Sequence, residues 1–551
     1  MRRKNIYILA IAAIFLFAAA GIQRSGRYFE ILKNLDIFAS LFKEVNAYYV
    51  DEIDPGTFIK SGIDEMLGTL DPYTNYISAD DIETYRMATT GEYSGIGASV
   101  EEIDGVSTVI LPYQGFAAAE AGLLAGDEIH AIDGIDLVSK SREEVNVLMK
   151  GQSNSEVLLT IKRFNTAEKF DVKVKRERIA VGSVPYAGMV SDDIGYVKLT
   201  SFTPNVGRTV GIKLYDLLEK GATKIILDLR GNPGGLLHEA VNISNLFIEK
   251  GRKIVTQKGK LKENDWVYNT LNEPIDPEIP LVVLIDNGSA SASEIVSGVA
   301  QDYDRGVLVG RKTFGKGLVQ IERELSYDAV VKITTAKYYT PTGRCIQAID
   351  YSNRNPDGSV GKVPDSLKNE FLTESGRKVF DGGGIDPDVE VSGAKLAPIT
   401  SALLRSRLIF KYGTRYYYEN LDNKPTSPTE VVISDEDYKA FKQWLKGQNF
   451  AYSSFMQDAT ARLIERAKEE NHYQSFQKEL RNLQDAVATD LDEDLDMFRQ
   501  EISYFLCQDI AGRFFLEEGR VQASFQQDKD VQKAISLLND MSTYEALLKS
   551  N

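Results

Sequence analysis

Cysteine is scarce. Cys345 and Cys507 are the only two in 551 residues, they lie 162 positions apart, and neither belongs to a CxxC or Cys/His ligand spacing. No zinc or other metal site is expected. Whether the two pair as a disulfide is open, because pairing needs close Cα atoms and sequence separation says nothing of that. Histidine is almost as rare: His130, His238 and His472 are the three candidates for any imidazole base. Positive charge is outnumbered, with 64 Lys and Arg against 80 Asp and Glu, a formal charge of −16. So acidic a chain repels phosphate backbones, which excludes nucleic acid as a partner. No internal repeat at solenoid periods is present.

What is there suffices for large cores: 43% of residues are hydrophobic and 10% aromatic. At roughly 100–200 residues per domain, three or four domains are expected. Arg2, Arg3 and Lys4 precede an uncharged run from Ile6 to Ile22, closed by Gln23 and Arg24. That is the layout of an export signal, with Ala18-Ala19-Ala20 as small residues for cleavage. The 17 uncharged residues stand at the short edge of a membrane span, which takes about 20, so an uncleaved anchor is the alternative. No cysteine follows the run, which excludes a lipoprotein anchor. The remainder is expected outside the cytoplasm, in a bacterial periplasm, soluble or tethered to the inner membrane.

Beyond residues 1–24, the chain reads as four regions. Residues 25–88 are helical: Phe29, Leu32, Leu35, Phe38, Leu41, Phe42 and Val45 recur at threes and fours, which predicts helix from 28 to about 70. Leu70-Asp71-Pro72-Tyr73 ends it, and a short helix follows near Ser78–Arg86. Residues 89–178 are glycine-punctuated short strands (106–111, 128–132, 156–162) with two short helices (117–121, 142–149). Residues 179–398 alternate strand and helix, which predicts an α/β core with parallel pairing. Residues 399–551 have few glycines and long helical patterns, with an acidic run at 490–496 expected as a solvated face. The fold class is therefore multidomain α+β.

The chemistry concentrates between Leu281 and Gln320. An apolar run, Leu281–Ile285, enters Asp286-Asn-Gly-Ser-Ala-Ser291-Ala-Ser-Glu294, and Lys312-Thr-Phe-Gly-Lys316-Gly-Leu-Val-Gln320 follows. A serine on a sharp strand-to-helix turn faces unpaired N–H groups that can receive a developing oxyanion. Taken alone, Ser289, Ser291 and Ser293 are equally good helix N-caps. A base that activates a serine must itself be neutral, and a lysine reaches that state only by burial.

Ser289-Ala-Ser291-Ala-Ser293-Glu294 followed by Thr313-Phe-Gly-Lys316-Gly-Leu-Val-Gln320 resembles the core of the carboxyl-terminal processing proteases, the S41 peptidases. In that family the middle serine is the nucleophile, a lysine 25 positions on is its base, and a glutamine lies four further; Ser291, Lys316 and Gln320 keep those spacings. Leu70–Tyr73, Gly95-Ile96-Gly97, Asp228-Leu-Arg-Gly-Asn-Pro-Gly-Gly235, Tyr338–Arg344 and Gly384–Asp388 fall in the family's order. The resemblance spans about residues 30–395. It implies a PDZ-like domain over 89–178 and a ClpP/crotonase-like protease core over 179–398. Ala292 with Gly234 or Gly235 would form the oxyanion hole, and Gln320 would orient the lysine amine. It implies a PDZ groove in which Gly95, Ile96, Gly97 and Ala98 take a peptide's terminal carboxylate beside Val145 and Leu148. The expected partners are protein substrates with free C-terminal tails, with no cofactor.

Three alternatives remain at this stage. His238, just after the glycine turn, is a rival base. The PDZ-like module on a silent core would make a binding scaffold. The strand–Gly-Gly–helix unit also suits crotonase-type thioester chemistry, but no basic cluster for coenzyme A is present. The extension over 399–551 carries no recognised chemistry and is a candidate surface for a homo-oligomer or adaptor.

Overall fold

The computed structural model describes residues 28–549 except 356 and 394, together with all side chains in that range but those of 83, 84, 87 and 88. The expected export segment lies outside the described residues. No helix among the described residues is long and apolar enough to cross a membrane.

The chain divides into two units, 1–76 and 77–551. In the first, the single helix predicted from 28 to about 70 is two, over 28–48 and Pro55–Gly68. Pro55 explains the break: it disfavours helix at Asp54, which instead accepts a 2.7 Å bond from the Thr57 N–H as N-cap. Phe42 and Phe58 stack with ring centroids 6.1 Å apart. Phe29, Leu32, Leu35 and Leu41 remain exposed. At the predicted break, Asp71 Oδ1 accepts the Tyr73 and Thr74 N–H groups at 2.9 Å.

The second unit begins with the glycine-punctuated module. Its sheet pairs Ala98–Ile103, Val106–Pro112, Glu128–Ile132, Glu156–Lys162 and Phe170–Lys175 in that order. Helix Arg142–Met149 is held by a capping box between Ser141 and Glu144. Val109, Ile129, Leu159 and Ile161 form its sealed core.

The core sheet runs Tyr186–Met189, Ile194–Lys198, Lys224–Asp228, Leu281–Ile285, Val307–Gly310, Val389–Glu390. All neighbours are parallel except the first pair, as the strand–helix alternation predicts. Leu281–Ile285 is buried throughout, which identifies a strand covered on both faces. Leu281, Val283 and Ile285 face the helices of the core itself. Val282 and Leu284 face Val521, Phe525, Val531, Leu537 and Tyr544 of the C-terminal helices. The extension is therefore the second covering layer of the sheet. Its last helices, Lys529–Asn539 and Met541–Leu547, close on the strand Leu281–Ile285, where the Tyr544 hydroxyl meets both Leu281 N (2.9 Å) and Leu281 O (3.1 Å).

The extension also reaches the glycine-punctuated module. Arg407 pairs with Glu101 and Lys411 with Asp104. Arg513 Nη1 donates to Ala125 O at 3.1 Å. The acidic run at 490–496 lies largely exposed, as expected of a solvated face, and there Asp492 and Asp496 pair with Lys446 and Lys442 at 2.7 Å. Cys345 and Cys507 are both free thiols, so no disulfide joins them.

Candidate active site

Two turns leave adjacent parallel strands at the same edge of the core sheet. Lys224–Asp228 runs into the glycine turn 230–235, and Leu281–Ile285 runs into the serine turn 286–291. Ligands gather at such strand ends because loops there converge over a rigid sheet.

The three serines that look alike in sequence part here. Ser289 is fully buried and its Oγ donates to Leu229 O at 2.8 Å. Ser293 is equally buried and its Oγ donates to Asn232 O at 2.9 Å. Both stitch the serine turn to the glycine turn. Ser291 stands at the N-cap of helix Ala292–Asp302, in a capping box with Glu294. Its φ is +54°, a region an L-residue enters at a cost and one enriched at functional sites.

Glu294 is the hub that the sequence reading passed over. It is fully buried and accepts four donors: Ser291 N (2.8 Å) and Lys316 N (2.8 Å) on Oε2, and Thr313 Oγ1 (2.6 Å) and Gly315 N (2.7 Å) on Oε1. The backbone nitrogens of Ser291 and Lys316 thus lie no further apart than twice 2.8 Å. Burial pushes the carboxyl up to about 7, against the pull of its hydrogen bonds. A second clamp works on the carbonyls. The Tyr338 hydroxyl, on a neighbouring strand, lies 2.6 Å from Lys316 O and 3.1 Å from Ser291 O. One carboxylate and one phenol therefore grip both residues by both ends of their peptide groups. The serine-to-glutamate spacing of three is a capping signature and could have signalled the first grip; nothing local announces Tyr338.

The glycine turn is fixed with equal care. Asn232, fully buried, donates from Nδ2 to Leu199 O (3.0 Å) and accepts the Gly234 N–H on Oδ1 (2.9 Å). Phe202 N donates to Gly234 O and Leu236 N donates to Phe202 O, both at 2.9 Å, with Gly235 between them. Gly234 (φ +101°) and Gly235 (φ +142°) hold conformations closed to other residues. A Cβ on Gly234 would sit 2.8 Å from Ser291 Cβ and 2.9 Å from Ala292 N; one on Gly235 would sit 2.5 Å from Phe202 O. The Ala292 N–H, first in its helix, has no intrahelical acceptor.

Beneath the turn, Arg230 grips Asp228 through Nε (3.0 Å) and Nη2 (2.7 Å). Burial alone would raise the Asp228 carboxyl, but the charges of Arg230 and Lys198 outweigh it and hold it below the ordinary carboxylate range.

Lys316 is half-buried, two residues before the strand Leu318–Glu324. Gln320, on that strand, donates from Nε2 to Thr334 Oγ1 at 3.1 Å. The His238 side chain is 63% exposed and its Nε2 lies 3.6 Å from Glu239 Oε1. His130 faces Glu128 in the other module, and His472 begins a helix of the extension. No group of His, Cys, Asp and Glu among the described residues is arranged to hold a metal ion.

In the glycine-punctuated module, Gly95 ends the strand Glu92–Gly95, while Ile96 and Ala98 are buried in its core. The Ile96 and Gly97 carbonyls accept from Ala118 and Tyr113 at 2.8 Å. A groove of about 420 Å³ lies between the strand of Val100 and the helix of Val145. Leu148, on the same helix, packs partly buried against the module's core.

The model of Peptidase family S41 matches residues 193–352, that of the PDZ domain 94–174, and that of the probable PDZ-protease C-terminal helical domain 399–538. A carboxy-terminal-processing protease of Bartonella bacilliformis is 36% identical over 382 residues, 68% of this chain and 86% of that protein. A probable CtpA-like serine protease of Staphylococcus aureus is 34% identical over 345 residues, 62% of this chain and 68% of that protein. The solved structure of a photosystem II D1 C-terminal processing protease is 24% identical, with a TM-score of 0.35, over 64% of this chain and 92% of that one. The chain is a serine-type peptidase with a PDZ domain, and it belongs to the S41 family of carboxy-terminal-processing proteases.

Proposed function

We propose that the protein is an exported endopeptidase that captures C-terminal tails in its PDZ groove and cuts them with a Ser291–Lys316 dyad. The observation that carries this is the shared grip of Glu294 Oε2 on the two backbone N–H groups, which keeps the residues adjacent although 25 positions separate them.

In this reading the neutral Lys316 amine takes the Ser291 hydroxyl proton as Oγ attacks the substrate carbonyl. The oxyanion is received by the N–H groups of Ala292 and Gly235, since that of Gly234 is engaged by Asn232. The lysine then hands its proton to the leaving amine, and a water molecule, activated by the same lysine, releases the acyl group. Gln320, with its Nε2 on Thr334, keeps its carbonyl oxygen available to orient the amine. The tail would add along Val100, with its carboxylate toward Gly95–Ala98 and its last side chain against Val145 and Leu148. Capture and cutting at separate places favour unstructured tails with an apolar terminus. The basic head and apolar run at the N-terminus support a periplasmic location.

The test is digestion of an unfolded protein ending in an apolar residue. Ser291→Ala and Lys316→Ala should each lower kcat by about 10⁴-fold or more, and His238→Ala should cut as the native protein does. Full activity in Lys316→Ala would overturn the dyad. Native protein that leaves every tail intact would return the chain to a binding role.

A further inference from the structure

We infer that the C-terminal helical extension is a working part of the active site: Asp528 and Asp530 are positioning residues that set Arg230, and through it the glycine turn that receives the oxyanion. What the turn does rests on the dyad reading above; how it is held does not.

Arg230 is the residue that opens the turn. Its Nε and Nη2 are taken by Asp228. Its Nη1 donates to Asp528 Oδ1 and to Asp530 Oδ2, both at 2.9 Å. Those two carboxylates lie about 300 positions further along the chain, at the start of helix Lys529–Asn539. The same cluster reaches the serine turn. Arg311 Nη1 is 3.6 Å from Asp530 Oδ2, and its Nη2 is 3.8 Å from Asp286 Oδ2. Asp286 Oδ1 in turn accepts the N–H groups of Gly231 and Gly288 at 2.9 Å. The extension thus touches both turns through charge, and both turns flank Ser291.

Covering the sheet does not require this. Val531, Ala534, Leu537 and Leu538 already bury its outer face. Buried ion pairs are costly next to apolar packing of the same volume. Asp530 bears that cost openly: it is 4% exposed, its Oδ1 has no hydrogen-bond partner, and burial lifts its carboxyl above the ordinary value despite Arg230. Asp530, retained at such a disadvantage, and Asp528, whose Oδ1 also caps the helix through the Asp530 and Val531 N–H groups, are both aimed at the one arginine of the glycine turn, which fits positioning. Arg230 needs them because a single carboxylate leaves one end of a buried guanidinium unmatched. A guanidinium held by Asp228 alone can still pivot about that pair, and Arg230 stands directly before Gly231 and the donors beyond it.

The full chain carrying Asp528→Asn with Asp530→Asn should test this, with Lys533→Ala on the outer face of the same helix as control. The expected result is a kcat lowered on the order of 10-fold to 100-fold, the cost of a small misplacement, with KM and tail-peptide affinity within about threefold of native. Hydrogen exchange should rise in the peptide covering 229–236 and stay native in strand 281–285. The control should match native protein in each reading. A native kcat, a change confined to KM, or native exchange in 229–236 would overturn the inference. Exchange needs no activity, so it decides the matter even if the native protein cleaves nothing. Loss of activity in Ser291→Ala judges the dyad separately.

Discussion

The turns of the protease core and the attachment of the PDZ domain differ in how many of their fastening charges lie exposed. Around Ser291, Glu294, Asn232, Asp228 and Tyr338 are at most 1% exposed. The PDZ domain meets the C-terminal helices partly through Arg407–Glu101 and Lys411–Asp104, whose side chains are 28–72% exposed, beside the buried Arg513, which donates to Ala125 O, and the stacked rings of Phe164 and Tyr418. Exposed pairs contribute about 0–1 kcal/mol each and weaken with salt. Buried, fully hydrogen-bonded groups lose much more when one partner goes. Chemistry needs a geometry fixed within about an ångström, which exposed ion pairs do not supply.

The sharpest way to break the comparison is at the core. Gly234→Ala would press a methyl against Ser291 Cβ, Ala290 O and Ala292 N at 2.7–2.9 Å, while forcing alanine to a φ of +101°. Peptide cleavage should fall by about 10³-fold, as for a lost oxyanion donor, with tail binding by the PDZ domain intact.

Glu294→Gln comes next. An amide nitrogen cannot accept the N–H groups that the carboxylate holds, so kcat should fall about 10²-fold. The same variant has a signature in stability. The folded carboxyl is raised from 4.5 to about 7, so the native state holds a proton that the unfolded chain has released. The stability due to this group is complete below its unfolded value and is lost as pH rises toward about 7. Urea unfolding of Ser291→Ala at pH 5 and pH 8 should show that decline, and Ser291→Ala with Glu294→Gln should be flatter. An equal slope in both would place the titrating group elsewhere.

The smallest effect belongs to the exposed pairs. Arg407→Ala with Lys411→Ala should leave kcat unchanged and shift KM by less than about threefold at low salt. The difference should vanish in high salt. A large loss of kcat would show that the PDZ attachment is as exacting as the active site, and the comparison would fail.

How much of this was legible beforehand follows the same division. The continuous apolar run Leu281–Ile285 and the Asn-Gly turn after it announced a buried strand and a sharp exit, and the structure has both. The helix at Arg142–Met149 and the strand at Glu156–Lys162 begin and end as their patterns indicate. Local signals could not rank Ser289, Ser291 and Ser293, because all three satisfy the same cap preference. Only the destinations of their hydroxyls separate them, and those lie in a turn some 60 positions away. The strand Leu318–Glu324 went unread because its charged end, Glu322-Arg323-Glu324, carries no apolar alternation; pairing with Val330–Tyr339 decides it. The extension was read as helices without chemistry. Amphipathic patterns show which face is buried and not what it covers.

The grip of Tyr544 on Leu281 joins residues 263 positions apart. A chain that emerges N-terminus first therefore presents its serine turn long before the helix that steadies the strand beneath it. Contacts of such sequence separation form late, since the loop they close must be ordered first. The strand beneath the serine turn thus gains these hydrogen bonds only once the last helix of the chain has been made and has docked.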